Sequence, residues 1–91
     1  MLTDLFQGEI ISTETINTIF NSLNKQLLDR KEITLNFAKI TFISVYFLER
    51  LEQFICRARD LSVKVSIVDV IPSVFKVFQI AKSKLILETC K

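Results

Sequence analysis

The stretch VKVSIVDVIPSVFKVF, residues 63–78, changes its apolar period partway along. Val63, Val65, Ile67 and Val68 are β-branched residues in the arrangement of a buried strand. From Pro72 onward the spacing becomes helical, with Val74, Val77, Phe78 and Ala81 on one side, and a proline at a first helical position has its φ preset for the helix. Working outward, Ile33-Thr34-Leu35-Asn36-Phe37 alternates as a strand does. Ala38 to Ile40 reads as a short link, and Phe42 and Ile43 lead into a helix beginning near Ser44, with Phe47, Leu48, Leu51, Ile55 and Ala58 on its apolar stripe. Near the N-terminus, Ser12 or Thr13 reads as the cap of a helix. Its stripe is Ile16, Ile19, Phe20, Leu23 and Leu27, and Thr18, Asn21, Ser22, Lys25 and Asp29 form the opposite, polar face. Leu85-Ile86-Leu87 reads as a last short strand. Strands separated by helical crossovers imply parallel pairing and right-handed connections. The expectation is one α/β domain over residues 1–91, with a mostly parallel sheet of four to five strands and helices packed against it. In such a sheet the starts of the second and third helices share the carboxyl edge, where ligands and partners dock.

Composition narrows the chemistry. The 91 residues are 49% apolar and 24% charged, which suits a packed core and excludes disorder. No window approaches the ~18 unbroken apolar residues that a membrane span requires, and no basic segment followed by an apolar run marks the N-terminus. A soluble cytoplasmic location without membrane insertion is therefore expected. With no His, the commonest general base and metal ligand are both missing. Gly8 is the only glycine, so no glycine-rich phosphate loop exists, and Cys56 and Cys90 stand outside any metal-ligand spacing. They read as free thiols, with a disulfide between them left open. Twelve basic against ten acidic residues leave a formal charge of +2 with the signs interspersed, which does not argue for nucleic acid. No acid/base or nucleophile pair is evident, so neither an enzyme nor a cofactor is expected.

Three stretches resemble the STAS domain, the fold of sulphate-transporter tails and anti-sigma-factor antagonists: GEIISTETINTIFNSL, ITLNFAKITFIS and VKVSIVDVIPSVFKVFQIAKSKLIL. The resemblance includes Gly8 to Ile10, read as a turn into the first helix, the run from Leu35 to Ile43, and the spacing of Pro72, Val74, Val77 and Phe78. It implies a small cytoplasmic protein-binding module rather than an enzyme. In the antagonists an Asp-Ser-Ser/Thr-Gly run starts the second helix, and phosphorylation of its first Ser switches binding off, since phosphate adds about −1.5 to −2 charge to a docking surface. The corresponding run here is Ser44-Val45-Tyr46-Phe47. Val45 stands at the acceptor position without a hydroxyl, Ser44 replaces the Asp and Phe47 the Gly. Lys82 stands where relatives often carry Gly after the third helix, and the usual C-terminal helix is missing from the pattern.

The candidate partner-binding residues are thus Ser44, Val45, Tyr46, Phe47, Pro72, Ser73 and Phe75. Four of them have a plainer reading. Ser44 is placed to cap a helix, Tyr46 to sit as a boundary aromatic, Phe47 to fall in the core stripe, and Phe75 to pack on the flank of its helix. Cys56 projects away from its helix's stripe as an exposed thiol, and Asp60 and Asp69 have the positions of turn residues. Two function classes follow: a regulatory module binding a protein partner without a serine phospho-switch, or a fixed STAS subunit of a larger assembly such as a bacterial ABC lipid transporter.

Overall fold

Each apolar stripe closes onto one core. The computed structural model describes residues 8–10 and 13–90, in the order β1 (Gly8–Ile10), α1 (Thr13–Leu27), β2 (Glu32–Asn36), β3 (Ile40–Ile43), α2 (Val45–Asp60), β4 (Lys64–Val68), α3 (Pro72–Ile80) and α4 (Lys84–Thr89). Ser12, one of the two expected caps of α1, lies outside the described residues. The five stripe residues of α1 are all buried, as are those of α2, joined there by Phe54. On α3 only Val74 and Phe78 are buried, with Val77 half-buried and Ala81 exposed.

The strands pair in parallel, in two ladders of two. β1 lies beside β3, and β2 beside β4 in unbroken register from Glu32↔Lys64 to Asn36↔Val68. This corrects the single sheet of four to five strands, because among the described residues no ladder joins the pairs. The reason lies in the links. A parallel neighbour needs a crossover of about a dozen residues or more, and the chain between β2 and β3 is a tight turn in which the Ile40 N–H donates to the Phe37 carbonyl at 3.0 Å. β3 therefore takes its parallel partner from β1, and β2 takes its own from β4 across α2. The result is a small α/β domain of parallel strands and packed helices.

Three local readings change. Gly8 to Ile10 is strand β1 rather than a turn. Ile40–Ile43 is strand β3 rather than a link, and its alternation is hidden because the register skips Thr41: Gly8 opposes Ile40 and Glu9 opposes Phe42. An inserted bulge residue flips the inward side, so Ile40 and Ile43 are buried with Thr41 and Phe42 exposed between them. Leu85-Ile86-Leu87 lies in α4, so a C-terminal helix is present. Ser83 caps it by accepting the Ile86 N–H on its Oγ, and Thr89 Oγ1 donates to the Leu85 carbonyl at 2.8 Å. The inward residues Ile86 and Thr89 are three apart, so helical spacing fits a run that also passes for a strand.

The core is organised by a chain of aromatic rings. Phe54 meets Phe20 at 6.1 Å, Phe20 meets Phe47 at 5.3 Å edge-on, Phe47 meets Phe37 at 6.1 Å, and Phe37 meets Phe78 at 6.1 Å. These contacts join α2, α1, the end of β2 and α3, in the tilted and T-shaped geometries that aromatic quadrupoles favour.

Two helix ends carry strain. After α2, the Ser62 N–H donates to the Arg59 carbonyl and the Val63 N–H to the Ala58 carbonyl, the bonds of a Schellman motif, with Ser62 at φ 59°. Lys82 follows α3 at φ 54°, a region that favours glycine, the residue the resemblance leads one to expect there. Because a side chain in this region crowds its own carbonyl, Ser62→Gly should raise unfolding stability by up to about 1 kcal/mol. A rise in the urea midpoint at unchanged m-value is the expected result.

Candidate docking surface

β3 ends at Ile43 and β4 at Val68, so the starts of α2 and α3 both follow carboxyl ends of strands. The carboxyl ends of β2 and β4 are tied together by Asn36 and Asp69, Asn36 Nδ2 donating to Asp69 Oδ2 at 3.3 Å while Asn36 Oδ1 accepts the Ala38 N–H at 2.8 Å. Asp69 sits at φ 57°, a region Asp tolerates better than most residues, so its turn duty has a conformational basis.

At the start of α2, Ser44 is extended and its Oγ accepts the Phe47 N–H at 3.2 Å, so its hydroxyl serves as the helix cap. Val45 comes next and is 71% exposed. Tyr46 is half-buried and turned toward α1, where its hydroxyl donates to Asn17 Oδ1 at 2.6 Å. Phe47 is fully buried among the core rings. Its place in the core stripe explains this, and it contributes nothing to an exposed patch. Pro72 and Ser73 are exposed in the first turn of α3, where Pro72 needs no N–H partner. Phe75 is half-buried against the core.

The seven candidates therefore fall into layers. Val45, Pro72 and Ser73 face solvent, Ser44, Tyr46 and Phe75 sit half-buried, and Phe47 belongs to the interior. Beside Phe75 lies a cleft of about 390 Å3, lined by Asp69, Val70, Phe75, Leu87 and Cys90. Leu87 and Cys90 reach it because residues 84–89 are helical, which the strand reading hid. Burial pushes the Cys90 thiol above its ordinary pKa, so the thiolate is disfavoured and the side chain acts in the cleft as a small apolar group. Cys56 is exposed, and both cysteines are free. Among the described residues no group of three His, Cys, Asp or Glu could hold a metal, and no helix is long and apolar enough to cross a membrane.

One polar cluster went unread in the sequence. Arg50 Nη1 donates to Asn17 Oδ1 at 2.7 Å and to the Tyr46 hydroxyl at 3.2 Å. The i, i+4 spacing of Tyr46 and Arg50 was visible, but Asn17 is brought to them only by the packing of α1 on α2.

Compared with known proteins, the chain matches the STAS domain family model over residues 6–90. No curated protein matches it.

Proposed function

The chain belongs to the STAS domain family, and on that premise we propose that it is a non-enzymatic module that binds a protein partner at the carboxyl edge of its strands without a serine phospho-switch. The observation that supports this is Val45. By the resemblance it corresponds to the family's phosphoacceptor; it has no hydroxyl and is 71% exposed as the first residue of α2. The neighbouring Ser44 is engaged as a cap, and the neighbouring Tyr46 is bonded to α1. An exposed apolar residue at the start of α2, which like α3 follows the carboxyl end of a strand, is a surface that stays attractive to a partner irrespective of kinase activity. The partner is a protein, and the compartment in which they meet is the cytoplasm.

Affinity capture of the full chain from its native cell, followed by mass spectrometry, tests this. One protein should be recovered reproducibly, and intact-mass analysis of the captured chain should show no added phosphate. A stoichiometric phosphate mapped to Ser44 or Tyr46 would overturn the unswitched reading. Recovery at fixed stoichiometry through long washes would identify the fixed-subunit class, whereas an exchanging regulator washes off.

A further inference from the structure

The seam between α1 and α2 carries a cation without a counter-ion. Arg50 is half-buried, its guanidinium carbon lies 5.5 Å from the Phe20 ring centre and 6.0 Å from that of Tyr46, and Nη1 is held by Asn17 and Tyr46. Those partners are neutral. Among the described residues the only ion pair is Arg59 with Glu88, and Nε and Nη2 of Arg50 have no protein partner. A partly desolvated charge is normally paired, because burial penalises the charged form. Nε and Nη2 form the guanidinium edge whose parallel N–H groups match the two oxygens of a carboxylate.

Arg50 opens onto a depression of about 120 Å3, lined by Phe20, Asn24, Arg50, Gln53, Phe54 and Arg57. The lining contains two arginines and no acid. Asn24 Oδ1 is buried beside this depression without a hydrogen-bond partner.

We infer that this seam is a recognition site for a carboxylate side chain presented by an acidic protein segment. Charge complementarity selects the ligand: one carboxylate takes the free edge of Arg50 and a neighbouring acid meets exposed Arg57. The lining lies on α1 and the middle of α2, away from exposed Val45, Pro72 and Ser73, although Tyr46 helps to seat Arg50.

The test uses the full chain with 15N label, observing the arginine Nε–H signals during titration with the peptide acetyl-Glu-Ala-Ala-Glu-Ala-Ala-Glu-amide at low salt. The Arg50 and Arg57 signals should move together along one saturating curve while that of Arg59 stays still. Arg50→Lys keeps the charge but loses the fork, and should weaken binding by about fivefold or more. Arg57→Gln, at an exposed position that does not threaten folding, should weaken it measurably and decides the matter if Arg50→Lys lowers the melting temperature. Unsaturated or equal shifts at all three arginines, or an Arg57→Gln protein of unchanged affinity, would overturn the pocket. Inorganic phosphate saturating the same signals at lower concentration than the peptide would overturn the protein segment as its ligand.

Discussion

Phe47→Ala should lower unfolding stability by about 3–5 kcal/mol, through the lost transfer free energy of the ring and the cavity left behind. The side chain is completely buried and bridges two neighbours, Phe20 at 5.3 Å and Phe37 at 6.1 Å, so its removal interrupts the ring chain joining α1, α2 and the end of β2. Phe37 continues that chain to Phe78 on α3, which leaves the surroundings little freedom to collapse into the void. Domains of this size have only about 5–15 kcal/mol in total, so the variant should be close to unfolding at ambient temperature. Urea denaturation followed by circular dichroism measures this. A loss under about 1 kcal/mol would remove Phe47 from the core and return it to the docking surface.

The contrast between Phe47 and Val45 shows what could be read from the residues alone. Helical periodicity located all three longer helices because their stripes are one-sided, and the same periodicity placed Phe47 inward. The two readings of Phe47, core and docking, conflicted in the sequence. Packing resolves them, since Phe47 is buried between Phe20 and Phe37. Other features were hidden for physical reasons. The bulge at Thr41 breaks the alternation by which β3 would be recognised. α4 is short, and its Leu85-Ile86-Leu87 run satisfies both periods. The orientation of Tyr46 toward Asn17 depends on how α1 lies on α2, a tertiary fact with no local signal. The cleft beside Phe75 was invisible for the same reason, as Leu87 and Cys90 line it only once residues 84–89 are wound into a helix.

That orientation of Tyr46 also determines which variant tests the docking surface. Tyr46→Glu would break the bond to Asn17 and disturb the seat of Arg50, so a binding loss there would mix folding with recognition. Val45 is the cleaner probe. It is 71% exposed, and a carboxylate in the first turn of a helix is favoured by the helix dipole, so Val45→Glu should keep the wild-type melting temperature within a few degrees. Against a partner that covers the surface, the same substitution buries an unpaired carboxylate in an apolar contact. Affinity for the captured partner should fall at least about tenfold, or ~1.4 kcal/mol. Phe75→Glu, beside the cleft, should act in the same direction to a lesser degree, because Phe75 is half-buried before any partner arrives. Lys25→Glu, on the exposed face of α1, reverses a charge away from this edge and should leave binding unchanged. Titration calorimetry or surface-immobilised binding with the three folded variants makes the measurement. Unchanged affinity for Val45→Glu would move the interface off the start of α2, and an equal loss for Lys25→Glu would mean that overall charge, rather than this surface, governs the contact.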